Sequence, residues 1–189
     1  MKDKIIVTPD SILRQKSEEI KKITPEIEEI IAEMRATALD WEKDHPHEMS
    51  AAMAAPQLGH LKRVIIVREN NDDKDEKAFL ALVNPEVLRV STKMKKDYEG
   101  CLSVPSVYGM VARPDKVTIT ATLEDGTGVK IKATDGLART LLHEIDHLDG
   151  VLFIDHIRGK KDAFFTLDDK GDLQPLDYSK VENDKTLWG

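Results

Sequence analysis

Cysteine is almost absent. Cys101 is the only one in 189 residues, so no internal disulfide can form, and a reducing compartment suits the chain. Aromatic residues make up only 5%, and no apolar run approaches the roughly eighteen residues that a membrane-spanning helix requires. The opening Met1-Lys2-Asp3-Lys4-Ile5-Ile6-Val7, followed by Pro9, lacks the pattern of a signal or transit peptide, and a cytosolic protein is expected. Excess basic charge is also missing. With 28 Lys and Arg against 35 Asp and Glu, the net charge is −7, which argues against a broad nucleic-acid or acidic-membrane footprint. A lone cysteine is ordinarily a small buried apolar residue unless its neighbours give it chemistry.

What is present is ordinary soluble composition, 40% hydrophobic and 33% charged, with enough apolar material for one core. A single domain over residues 1–189 is expected, since no repeat or internal boundary interrupts it. Thr24-Pro25-Glu26 has the form of a helix start, with proline at the first helical position and acids in the first turn. Ile23, Ile27, Ile30, Ile31, Met34 and Ala38 then recur at helical spacing, predicting an amphipathic helix that ends near Trp41. His45-Pro46-His47 follows in a polar loop, where two histidines offer a weak metal-binding possibility.

Arg63-Val64-Ile65-Ile66-Val67 and Phe79-Leu80-Ala81-Leu82-Val83 read as strands, joined by a charged segment from Glu69 to Lys77 that is expected to be the most mobile. Asn84-Pro85 closes the second strand, and a third begins at Val87 to Val90. Lys116 to Thr122 alternates with period two and meets Asp125-Gly126 and Val129 to Lys132, which predicts a hairpin. Leu137 to Leu148 is an apolar-rich helix with Gly150 suited to its C-terminal cap. Strands followed by one central helix predict an α+β fold with mostly antiparallel sheets around that helix.

The helix carries His143-Glu144-Ile145-Asp146-His147. Residues four apart stand one above the other, so both imidazoles point at one spot, and Glu144 lies about 100° round the axis, within reach of a water there. A polar face on a surface helix is the bland alternative. Metal catalysis asks for a third ligand and an open position. His156 is a candidate downstream. Upstream stands Glu99-Gly100-Cys101-Leu102-Ser103-Val104-Pro105, which sets the only cysteine among turn formers and hydrogen-bonding residues.

These segments resemble the signatures of the peptide deformylases. EGCLSVP at 99–105 and HEIDHLDG at 143–150 match two of them. Ser50-Ala51-Ala52-Met53-Ala54-Ala55-Pro56-Gln57 aligns with the third, usually G-x-G-[LM]-A-A-x-Q. Lys62-Arg63-Val64, Asn84-Pro85 and the hairpin extend the likeness over most of residues 5 to 158. The resemblance implies Cys101, His143 and His147 as ligands of one divalent metal. Fe(II) is the expected ion, and zinc, nickel or cobalt would also suit a thiolate and two imidazoles. It implies Glu144 as general base, with Gln57 and the Leu102 backbone N–H as oxyanion donors. Ala52, Glu99 and Gly100 are implied as substrate-binding residues. The reaction implied is hydrolysis of the N-formyl amide on the first methionine of new polypeptides in a bacterial-type cytosol. Arg113 is a candidate partner for Glu99, and His60 and His156 are expected to be ordinary histidines.

Two departures qualify this. Ser50 and Ala52 replace the usual glycines, and their Cβ atoms remove backbone freedom where the family's substrate peptide pairs. An altered substrate fit, or a non-catalytic protein that binds metal or peptide, is the alternative function. Beyond residue 158 the likeness fades, and the tail 159–189, with a turn at Asp168 to Gly171, does not repeat the helix with which some bacterial relatives dock on the ribosome. A zinc endopeptidase is a third reading, resting on the two histidines and Glu144 alone.

Overall fold

The computed structural model describes residues 5–45, 49–68 and 78–188. Its first sheet is antiparallel, in the order β1 (Ala52–Ala54), β2 (Val64–Arg68), β3 (Phe79–Val90), β6 (Lys116–Thr122), β7 (Gly128–Thr134). The second, also antiparallel, runs β4 (Met94–Cys101), β5 (Val104–Pro114), β8 (Phe164–Leu167), β9 (Leu173–Pro175). This is the α+β arrangement expected.

β2 is buried along its whole length. Val64 and Ile66 pack into one layer, Ile65 and Val67 into the other, so its unbroken apolar run serves a strand covered on both faces. α1 (Pro25–Asp44) covers the first face with Ile27, Ile30, Ile31, Met34 and Ala38. α2 (Asp135–Leu148) covers the second with Ala138, Leu141, Ile145 and Leu148. Each such large aliphatic side chain, fully buried, contributes about 1.5–3 kcal/mol. α2 carries the HEIDH motif and is the central helix foreseen.

The helix ends differ in detail. Thr24 makes no side-chain cap bond; its carbonyl instead accepts the N–H groups of Ile27 and Glu28. α1 continues past Trp41, because its last turn has partners invisible in the apolar pattern: Trp41 stacks on His45, and Glu42 pairs with Arg68. α2 starts at Asp135, whose N–H donates to the Asp115 carbonyl. Gly150 follows its end at φ +74°, and its N–H donates to the His147 carbonyl.

One expectation fails. The two strands foreseen on either side of Asn84-Pro85 are a single strand, β3. Asn84 takes φ +49° and the register shifts between Val83 and Glu86, yet pairing with β6 resumes. The Asn84 side chain holds both the N–H and the carbonyl of Ile20. Its job is to anchor the incoming chain, not to end the strand.

The tail joins the second sheet. β8 pairs with β5 at Tyr108–Phe165 and Gly109–Phe164, and Val181 and Leu187 enter the core around Phe153 and Phe164. They lie in two one-turn helices, α3 (Tyr178–Val181) and α4 (Lys185–Trp188). Among the described residues no helix is long and apolar enough to cross a membrane. The segment 69–77, and Pro46 and His47 of the histidine pair, lie outside the described residues.

Candidate active site

Three elements converge on one point. α2 presents His143, Glu144 and His147; the end of β4 brings Cys101; the 3-10 turn Ala55–Leu58, just after β1, brings Gln57. Cys101 Sγ lies 3.2 Å from His147 Nε2. The ligand atoms of Cys101, His143 and His147 all fall within 4.8 Å of one another. His156, the alternative third ligand, instead bonds Asp146 at 2.7 Å. His60 pairs with Glu33 at 3.0 Å.

The protonation pattern follows from burial and proximity. Burial opposes ionisation of Cys101, but the charge of His147 and hydrogen bonds from both imidazoles hold its thiol down to about 5. Burial acts against a charged His143 as well; contacts with Cys101 and Glu99 reverse this and raise it. Burial raises Glu144 above the usual carboxylate range, against the pull of His143 and His147. A buried carboxyl raised in this way suits a group that takes and returns a proton.

The donor set fits a divalent ion. A thiolate and two imidazoles are a borderline-soft set, and in a tetrahedral site with bonds of about 2.0–2.3 Å such donors stand about 3.5 Å apart, comparable with the spacing here. The His143 ring places Nδ1 2.9 Å from Glu99 Oε2, which fixes the tautomer and leaves Nε2 for the cluster. Glu144 Oε2 is buried without a hydrogen-bond partner among the described residues, beside this cluster.

Glu99 is the hub beneath the site. Its carboxylate accepts from Arg113 Nε and Nη2 at 2.6 and 2.9 Å and from Arg139 Nη1 at 2.6 Å, besides His143. Burial would raise it, but the bonds from His143 and Arg113 hold it far below the usual carboxylate range. Arg113 also reaches Asp146 at 2.7 Å. The expected Arg113–Glu99 pair is present. Arg139 was missed, although it precedes His143 by one helical turn and so shares its face.

Gln57 is held in one orientation. Its Oε1 accepts the Ala54 N–H at 2.8 Å, while Nε2 points to Ser103 Oγ at 3.2 Å and Cys101 Sγ at 3.7 Å. Gln57, Cys101, His143 and Glu144 open into a cavity of about 630 Å³. Ala52, Gly100 and Leu102 line it, as does Glu99, though that carboxylate is already committed to its four bonds. A Cβ on Gly100 would sit 2.7 Å from the Tyr108 ring, so a side chain here would require that ring to shift. Trp41, Tyr108, Thr166 and Leu167 also form its walls, and nothing in their spacing signalled it.

Ser50 and Ala52 sit without backbone strain. Among the described residues the only non-glycine positions at positive φ are Asn84, Ser106 and Asp135. Ser50 is buried, donates its N–H to Glu42 Oε1 at 2.8 Å and offers its carbonyl to Arg68. The pair of buried Arg68 with half-buried Glu42 thus clamps the segment entering β1 to the end of α1.

Comparison with known proteins bears on this arrangement. The family model described as polypeptide deformylase matches residues 2–163. A peptide deformylase of Picosynechococcus is 36% identical over 151 residues, covering 80% of this chain and 76% of the relative. Peptide deformylase 2 of Clostridium acetobutylicum is 37% identical over 151 residues, covering 80% and 92%. The crystal structure of a probable peptide deformylase from Synechococcus phage S-SSM7 superposes with a TM-score of 0.72 at 38% identity, over 81% of this chain and 98% of that one. A deformylase from Synechococcus elongatus, solved in complex with actinonin, gives 0.71 at 33% identity, over 82% and 79%. With the matched residues spanning most of its length, the chain belongs to the peptide deformylase family of hydrolases.

Proposed function

We propose that this chain removes the N-formyl group from formyl-methionyl peptides, releasing formate. The observation that carries this is the convergence of Cys101, His143 and His147 within 4.8 Å, with Glu144 and Gln57 opening on the same cavity. Cys101 Sγ and the two imidazoles would hold one divalent ion, with Fe(II) the expected one. When bound, the ion supplies Lewis acidity toward the formyl carbonyl and makes water a better nucleophile near neutral pH.

The chain's own residues do the rest. Glu144 takes the proton of the attacking water and delivers it to the departing amine. Gln57 Nε2–H and the Leu102 N–H donate to the oxyanion that develops as the carbonyl is attacked. The Ala54 N–H keeps the Gln57 amide turned so that its donors face the site. Glu99 acts through His143, holding the ring by its Nδ1–H. Its role is positioning, in place of the substrate contact the resemblance implied. Ala52 and Gly100 line the substrate's path.

The same reading treats residues 1–189 as one domain, with 159–189 joined through β8 on β5 and the packing of Val181 and Leu187. It places the enzyme in a bacterial-type cytosol, in keeping with its bacterial relatives. The reading in which substrate fit is altered draws on Ser50 and Ala52, which both line the cavity. Formate release from a formyl-Met peptide, measured anaerobically with Fe(II) or with added nickel, tests the proposal. Metal-loaded protein without formate would contradict it and favour a binding role.

A further inference from the structure

The family match ends at residue 163, yet the active-site cavity does not. Thr166 and Leu167, from β8, form part of its wall. The geometry points to a peptide-contacting rim built by the tail: we propose that Leu167, with Thr166 and Tyr98, receives apolar side chains of the substrate downstream of its formyl-methionine. This rests on the deformylase reading of the cavity.

The placement follows from strand register. β8 pairs antiparallel to β5 at Tyr108–Phe165 and Gly109–Phe164, so its chain runs back toward the start of β5, where Cys101 and Leu102 lie just upstream. Phe164 is buried in the core, which anchors the strand. Phe165 meets the Tyr98 ring edge to face at 5.0 Å, tying β8 to β4. The two residues that follow are thereby held at the cavity. Leu167 remains 37% exposed and Tyr98 41%, two large apolar surfaces on the margin of one opening.

The occupant is fixed by continuity. A formylated N-terminus seated by Glu144 and Gln57 must lead the rest of its peptide out through this cavity, and an extended chain advances about 3.3 Å per residue. Apolar walls at the exit favour apolar side chains over charged ones. A tail-borne rim gives the enzyme a preference for peptides longer than a dipeptide.

The experiment compares kcat/KM for formyl-Met-Ala with that for a formyl-Met pentapeptide carrying leucine at its third and fourth positions, using nickel-loaded full-length protein. Leu167→Ser is expected to lower the pentapeptide-to-dipeptide ratio by about three- to tenfold, the loss of part of one leucine's burial. Leu88→Ser, the same change at a 50% exposed position of β3 outside the cavity wall, is expected to leave the ratio at the wild-type value. Equal ratios for the two variants would overturn the proposal.

A pentapeptide with a benzophenone side chain at its fourth position gives a readout independent of turnover. It is expected to label the tryptic fragment Asp162–Lys170. Labelling that spares this fragment would overturn the rim. Wild-type protein that releases no formate from either peptide, yet labels at 162–170, would contradict the deformylase reading while upholding the rim.

Discussion

At the scale of single residues, the site depends on donors held before substrate arrives. Gln57 has its carbonyl occupied by Ala54 and its amide directed into the cluster, so Gln57→Leu should remove the proposed oxyanion donor together with the bonds to Ala54 and Ser103, while leaving the ligand atoms in place. Turnover is expected to fall by about 10²–10³-fold, with metal content unchanged by elemental analysis. Loss of the metal in that variant would show that Gln57 supports the ligands. Glu99 offers a test with a sign. Its folded-state pKa is depressed, so its contribution is complete above the ordinary carboxylate value and is lost as pH falls toward the folded one. Glu99→Gln would leave buried Arg113 with Asp146 as its one remaining carboxylate partner and should cost about 3 kcal/mol near neutral pH. In urea unfolding, the gap to wild type should stay constant above about pH 5 and narrow below about pH 4. A gap independent of pH would mean that the carboxylate charge contributes nothing.

The Cys–His cluster and Glu99 differ in how far the sequence reveals them. The two histidines are set by helical spacing, and the chain has one cysteine thiol, so the cluster of Cys101, His143 and His147 is legible once the flanking signatures are recognised. The direction of the Glu99 carboxylate is not. It depends on Arg113 from β5 and on Arg139 and His143 from α2, which meet only after both sheets have formed.

At the scale of elements, legibility tracks the regularity of burial. β6 alternates strictly, and its expected limits, Lys116 to Thr122, are those observed. β3 was divided in two because Asn-Pro is a strong turn signal, and here a tertiary anchor on Ile20 overrides it. β4 was not foreseen, since Met94 to Tyr98 is exposed and carries no apolar stripe. The end of α2 is the element most sensitive to a small change. Gly150 combines φ +74° with a position where a Cβ would meet the Arg14 carbonyl oxygen at 2.5 Å. Gly150→Ala is expected to destabilise the fold by about 2–3 kcal/mol, seen as a lower urea midpoint with an unchanged m-value. A variant as stable as wild type would show that the Arg14 segment moves freely away from the helix end.

At the scale of the whole molecule, an ion held by Cys101, His143 and His147 would join parts that no strand pairing connects. Cys101 belongs to the second sheet, while His143 and His147 lie on the helix covering the first. Binding that favours the folded state adds RT ln(1 + [L]/Kd), about 4 kcal/mol at a thousandfold excess over Kd. Chelation should therefore lower the melting temperature, and nickel should restore it in wild type but not in Cys101→Ala. Restoration in that variant would place the stabilising ion elsewhere.

X-ray absorption at the metal edge of zinc-loaded protein tests this union most directly. The expected spectrum contains one sulfur at about 2.3 Å and two imidazole nitrogens at about 2.0–2.1 Å. A shell of nitrogen and oxygen alone would contradict the account, because Cys101 would then lie outside the site.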